Sequence, residues 1–300
     1  VTAPLSLTRT GIGEPLLLLH GMGSSRRDFA AVVEDLAGTF DVLDVDLPGV
    51  GGSPALDGRP TVAAITDAVE RTLDAQGAGR VHVLGDSLGA RVALELAVRR
   101  RARSVVAIAP SGLNLPRERV VQGGGMALAR VALRAGRPLV TRLSRSPAGR
   151  TALLAPLKAR PWSTSAEEAA GAREGFADSR AFWRTLLWGL LLDVPRGLRR
   201  IDCPVTLVQG VADWVASGQT ARYRPLVPRS RFVPLAWAGH APQSDRPRTI
   251  TRLVRETVRA ANRPTPGPAH RDEAPGVATA ADLAAGRARH RPPERTATAR

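Results

Sequence analysis

The first 113 residues alternate between two kinds of apolar pattern. Leu16 to Leu19 form an unbroken apolar run behind Pro15, closed by His20-Gly21. Such a run reads as a strand buried on both faces and then a sharp turn. Residues 28–36 instead space Phe29, Val32, Val33 and Leu36 at helical intervals. Residues 41–47 return to a strand pattern and end at Pro48-Gly49. Residues 61–73 carry Val62, Ile65, Val69 and Leu73 as one helical stripe. A strand at 80–85, a helix at 88–99 and a strand at 104–109 complete the series. Strands that alternate with helices predict a mostly parallel sheet covered on both faces, an α/β architecture.

Residues 114–200 interrupt this rhythm. They hold Gly123-Gly124-Gly125, several prolines and helix-like stretches of Leu, Ala and Arg, and no strand pattern. The most apolar stretch is 182–192, with Trp183 and Trp188 in it. The alternation resumes with a strand at 205–208, a helix at 218–226, a strand at 231–235 and a helix at 249–261. Residues 263–300 are rich in Pro, Ala and Arg without periodicity and read as a disordered tail. The expected organisation is a core built from 1–113 and 201–262, a helical insertion at 114–200, and the tail.

Composition narrows the function classes. The chain has 300 residues, 43% of them apolar and 23% charged, which is globular usage. One cysteine, Cys203, excludes an internal disulfide framework and a cysteine-based zinc site. No apolar run reaches the roughly 18 residues of a membrane span. No secretory pattern opens the chain, so a cytoplasmic location is expected. The net charge is +16, which invites a nucleic-acid reading. Its distribution argues otherwise. Residues 1–113 carry 11 basic and 13 acidic side chains, whereas 114–200 carry 16 and 6, net +10. No helix-turn-helix, finger or stacking-strip pattern accompanies the arginines, so no nucleic-acid partner is expected. A basic insertion can favour anionic substrates or an anionic membrane surface, and the codon bias of a GC-rich genome would also produce an arginine excess. The sequence leaves the oligomeric state open.

The strongest chemical signal is Gly85-Asp86-Ser87-Leu88-Gly89, between a strand and a helix. This G-x-S-x-G elbow lifts a serine hydroxyl out of the sheet on a tight turn. The glycines make room for that turn, and the helix N-terminus behind it offers free N–H groups. Near the end of an earlier strand, His20-Gly21-Met22-Gly23 can turn a backbone N–H toward the serine. Met22 and Leu88 N–H groups would then form an oxyanion hole. Asp213 follows the strand at 205–208, and His240 follows the strand at 231–235. The chain order Ser87, Asp213, His240 suits a nucleophile, an orienting acid and a general base.

At these residues the chain resembles the α/β-hydrolase superfamily, closest to its esterase-like branch of carboxylesterases, carbon–carbon bond hydrolases and cofactor-free perhydrolases. The likeness runs through 20–23, Asp46-Leu47-Pro48-Gly49-Val50-Gly51-Gly52-Ser53, the elbow, 210–213 and Gly239-His240. It implies an eight-stranded, mostly parallel sheet with a helical cap inserted after the sixth strand. It also implies a serine hydrolase that cleaves an ester or related acyl bond through an acyl-enzyme, without metal or organic cofactor. The expected substrate is a hydrophobic small molecule. Carbon–carbon hydrolysis, thioester hydrolysis, perhydrolysis and a non-catalytic ligand-binding role are the alternatives. Two positions depart from the pattern. Ala216 stands where a proline is frequent, and Asp86 places a carboxyl beside the nucleophile. Relatives that open epoxides or haloalkanes use an aspartate nucleophile, and Ser87 argues against both reactions.

Other residues have competing readings. His20 is expected to shape the oxyanion turn, and with Gly21, Trp214, Trp183 and Trp188 it is a candidate for lining the substrate pocket. Trp162 and Phe182 could line a lipophilic pocket with Trp183 and Trp188, but for most of these four the favoured reading is that they pack the insertion onto the core. Asp193 competes with Asp213 for the acid, but Asp213 has the strand-end position. His82 and Cys203 read as core residues. The glycine-rich 46–53 lacks the Lys-Ser/Thr ending of a phosphate loop and reads as a turn near the site. Gly123 to Gly125 read as a hinge or a loose loop.

Overall fold

The computed structural model describes residues 3–165, 169, 175–216 and 218–263. Residues 1–262 make one compact unit; of 263–300 only Arg263 is described, so the expected disordered tail lies outside the described residues. The sheet is built from β1 (Leu7–Thr10), β2 (Glu14–Leu19), β3 (Phe40–Val45), β4 (Val81–Asp86), β5 (Ala102–Ile108), β6 (Val205–Gly210) and β7 (Ser230–Leu235). Their order is β1-β3-β2-β4-β5-β6-β7. Every pairing is parallel except β1 with β3.

The helices are α1 (Ala30–Ala37), α2 (Val62–Ala75), α3 (Leu88–Val98), α4 (Pro116–Ala135), α5 (Arg137–Ser144), α6 (Pro147–Leu154), α7 (Phe182–Thr185), α8 (Gln219–Tyr223), α9 (Pro242–Asp245) and α10 (Pro247–Asn262). The apolar run of β2 explains the two-sided core. Successive side chains of a strand point to opposite faces. Leu17 and Leu19 therefore join α2 and α3 in one cluster, while Leu16 and Leu18 join α1 and α10 in the other.

Three expectations change. The described residues form seven strands rather than eight, because residues 3–6 ahead of β1 pair in no strand; the insertion accordingly follows the fifth. The edge strand β1 escaped the pattern because LTRT is mostly exposed and has no apolar alternation. Gly123, Gly124 and Gly125 do not form a loop but lie inside α4. Gly123 is closely packed: a methyl there would lie 3.0 Å from Leu191 Cδ1. The chain between β5 and β6 is helical where described, as expected, and the stretch after α7 continues as a π turn over Leu186–Leu191.

The topology sets the place of the site. After β3 the chain crosses β2 to add β4 on its other side, so the strand order reverses between β2 and β4. In open parallel sheets a crevice opens at that reversal, outside the carboxyl ends of the strands. The segments that follow β2 and β4 are His20 to Gly23 and the Ser87 turn.

Candidate active site

Ser87 sits between β4 and α3 at φ 51° and ψ −108°, a strained conformation for a residue with a side chain. Hydrogen bonds hold it there: its N–H donates to Ile108 O (2.8 Å), and its carbonyl accepts from Arg91 N–H (3.1 Å) and Ser111 N–H (3.3 Å). The turn needs glycine on its helical side, since a methyl at Gly89 would overlap the Leu19 carbonyl. The 20–23 loop crosses close above. A methyl at Gly21 would lie 3.3 Å from Ser87 Cβ and 3.1 Å from Asp86 Oδ2. Among the described residues, neither Met22 N–H nor Leu88 N–H donates to any turn or loop carbonyl.

His20 holds that loop in shape. Its Nε2 accepts from Leu47 N–H at 2.9 Å, so Nδ1 carries the proton and donates to Gly21 O at 2.8 Å. Burial, which disfavours the cation, lowers its pKa below the ordinary imidazole value. A neutral ring with both nitrogens engaged is a brace between the loops after β2 and β3.

Asp213 and His240 come together from the ends of β6 and β7. His240 Nδ1 donates to Asp213 Oδ2 at 2.9 Å. The same oxygen accepts from Gln209 Nε2 at 2.7 Å, and Oδ1 accepts from Val215 N–H (2.8 Å) and Ala216 N–H (2.9 Å). The departure at 216 thus has a use, since proline has no N–H to give. Burial works against both charges. For Asp213, His240 and the donors from Ala216 and Gln209 more than reverse it and hold the pKa down to about 2. For His240, the Asp213 charge and hydrogen bond, with Asp86 and Asp28 beyond, overcome burial and push the pKa up to about 9. Asp86 differs: buried behind the serine, its carboxyl is pushed up to about 7, chiefly by desolvation.

Several supporting residues have no motif to announce them. Thr220 Oγ1 donates to Gln209 Oε1, extending the chain behind Asp213. The His240 turn is tied to the insertion: His240 N–H donates to Leu157 O at 2.7 Å. Asp245 completes the tie, accepting from Gly239 N–H (2.8 Å), Ala159 N–H (2.9 Å) and Arg160 N–H (3.2 Å). An aspartate five residues past the histidine was the only available signal for it. The competitor Asp193 is occupied elsewhere, accepting from Val62 N–H at the start of α2 (3.0 Å) and from Arg91 Nη2 (3.2 Å).

Beside the serine turn lies a narrow cleft with a volume of about 20 Å³. His20, Gly21, Met22 and Leu88 line it on the core side, and Leu47, Val50, Ile65 and Phe182 make much of its apolar wall. The expected tryptophans do not reach it. Trp214 is 81% exposed, Trp183 is half exposed, and Trp188 stacks under Arg59 (4.1 Å). The aromatic that does line it is Phe182, whose side chain is buried while that of its neighbour Trp183 faces outward. His82 and Cys203 are buried core residues as expected, with burial pushing the Cys203 thiol up to about 11. Among the described residues no cluster of His, Cys, Asp or Glu could hold a metal ion, and no helix is long and apolar enough to cross a membrane.

A doubly covered parallel sheet with a strained serine at the elbow and an Asp–His pair beyond it defines a class, the α/β hydrolases. Comparison with known proteins agrees. A family model described as alpha/beta hydrolase fold matches residues 14–247, and the chain belongs to that family. It is similar to epoxide hydrolase EphH of Mycobacterium tuberculosis, 32% identical over 202 residues, covering 64% of this chain and 92% of that one. It is also similar to a pimeloyl-acyl-carrier-protein methyl ester esterase of Aeromonas hydrophila, 35% identical over 117 residues, covering 38% of this chain and 44% of that one. The other curated relatives compared span 16% to 44% of their own length in the match. Among solved structures, the esterase RhEst1 of a Rhodococcus species superposes with a TM-score of 0.69 at 22% identity, over 87% of this chain and 98% of that one. That likeness supports the fold.

Proposed function

We propose that the protein is a serine hydrolase that cleaves an ester or related acyl bond of a hydrophobic small molecule through an acyl-enzyme. The observation that carries this reading is the buried Asp213–His240 pair, at 2.9 Å, on the same end of the sheet as the strained Ser87 turn. Ser87 Oγ attacks the substrate carbonyl as His240 Nε2 takes its proton. Met22 and Leu88 N–H groups hold the oxyanion. His240 then protonates the leaving group, and in the second half it activates water to release the acid. Asp213 keeps Nδ1 protonated and stabilises the imidazolium. The apolar wall of the cleft favours an apolar acyl or alcohol group. The esterase names among the relatives support this reading. Epoxide opening, which EphH's name would suggest, suits a carboxylate nucleophile, and this elbow carries a hydroxyl. Carbon–carbon, thioester and peroxide chemistry draw on the same triad and stand as alternatives, as does a non-catalytic role.

A panel of p-nitrophenyl esters of rising acyl length tests the reading. Turnover by the wild-type protein that is lost in Ser87→Ala is the expected outcome. Turnover unchanged by that substitution, or absent with every ester and thioester, would refute it.

A further inference from the structure

The helix α4 is inside out. Its inward positions carry Gln122, Met126, Arg130 and Leu133, of which Arg130 is buried. Its outward positions carry Val120 and Val121, each 75% exposed, Leu128 at 71% and Val131 at 55%. At helical spacing these fall on one side together with Gly124, Ala132 and Ala135, which leave the stripe low and smooth. Leu139, on the next helix, adds another exposed aliphatic group. An apolar stripe left in water marks an interaction surface.

The charges around the stripe choose its partner. Arg117 and Arg134 are exposed on α4, Arg142 is exposed on α5, and Arg145 is exposed directly after it. None of the four forms an ion pair among the described residues. Arg137, Pro138, Thr141, Arg142 and Arg145 together line an open hollow along one face of α5. Between 114 and 165 the sequence has one acidic residue, Glu118, and that is held by Arg222 at 2.6 Å. A second copy of this chain would bring the same cations against these. The segment 263–300 carries 7 basic and 4 acidic side chains, so its net charge is also of the wrong sign. Nucleic acid would satisfy the arginines and leave the aliphatic stripe in water. An anionic lipid surface satisfies both, with apolar side chains in the acyl boundary and guanidinium groups among the headgroups. We propose that the outward face of α4, with the arginines of α5, docks the protein on anionic membranes.

The test is co-sedimentation of the full chain with vesicles of phosphatidylcholine alone and with about one third phosphatidylglycerol. The expected result is binding to the anionic vesicles, with little to the neutral ones. Val121→Asp/Leu128→Asp and, separately, Arg142→Glu/Arg145→Glu should each weaken binding by roughly tenfold or more. Neither pair touches the cleft or the Asp–His pair, and an unchanged melting temperature and circular dichroism spectrum would certify the fold. Absence of vesicle binding by the wild-type protein overturns the proposal. So does binding that responds to the arginine pair and ignores the aliphatic pair, which would leave the α4 stripe outside the contact. Burial of the stripe in a homodimer, read by analytical ultracentrifugation of wild type against Val121→Asp/Leu128→Asp, would overturn it as well.

Discussion

The core and the segment inserted between β5 and β6 are held together by different means. In the core, apolar side chains fill both sides of the sheet, and many surface charges have partners. Arg99 alone meets Asp67, Glu70 and Glu95, while Arg101 meets Asp74 and Arg255 meets Asp35. In the insertion, aliphatic side chains face water on α4 and an arginine lies inside. Arg130 donates to Phe176 O and Ser179 O (2.9 Å), and its guanidinium stacks 4.3 Å over Phe182. The insertion is fastened by a small apolar cluster around Phe182 and by polar ties that include Arg91 to Asp193, Arg222 to Glu118, Arg184 to the carbonyls of 56–58, Asp245 to the N–H groups of Ala159 and Arg160, and the Leu157 carbonyl to His240. A doubly packed sheet fixes a serine turn by close contact on every side. Point ties fix only what they touch, so the insertion is the part that can differ in position or specificity while the chemistry stays put.

If the chemistry lives in the core, Ser87→Ala should give the largest effect, a loss of about 10⁴-fold or more in kcat with an unshifted melting temperature. Next is Asp213→Asn, at roughly 10³- to 10⁴-fold in kcat. Its pH profile carries the sharper information. His240 must be neutral to act as base, and its pKa is held near 9, so kcat/KM for a neutral ester should climb with pH toward that value. In Asp213→Asn the limb should drop toward the ordinary imidazole value of about 6.5. A limb that stays put would separate the pair from catalysis.

The ties of the insertion come next in size. Asp193→Ala leaves the Arg91 guanidinium buried without its carboxylate and should cost about 3 kcal/mol, read by urea denaturation. Arg130→Met removes the hold on 176–179 beside Phe182, and should raise KM roughly tenfold with a smaller change in kcat. A kcat loss matching that of Asp213→Asn would place the insertion inside the chemistry and break the comparison. Smallest of all, Trp183→Ala and Trp214→Ala should each change kcat/KM within about twofold, because neither ring lines the cleft.

The same contrast explains what the chain made legible in advance. Strands β2 to β6 are largely apolar and buried on both faces, and in β2 the unbroken run encodes that burial most plainly. The elbow and the Asp213 and His240 turns are local motifs at strand ends, so they could be read one at a time. The Asp213–His240 contact joins residues 27 apart, and strand order alone implied it. Asp245 and the Leu157 carbonyl act through contacts that depend on where the insertion folds back, whereas Gln209 acts locally, four residues before Asp213, with no motif to mark it. The tryptophans misled because bulk and apolarity are visible in a sequence, whereas the side of a short helix that faces the cleft is not. Phe182 and Trp183 are adjacent, and only the fold decides which one points inward. The glycine triplet misled in the same way, since only the fold shows that Gly123 packs closely on Leu191 while Gly124 and Gly125 face open space on the helix.

The central claim is that Ser87, activated by His240, is the nucleophile. Intact-mass and peptide-mapping analysis after treatment with a fluorophosphonate tests it most directly. The account predicts a single covalent adduct on Ser87, absent in Ser87→Ala and formed far more slowly in His240→Ala. A folded wild-type protein that takes up no label, or labels at another residue with Ser87 untouched, would contradict it.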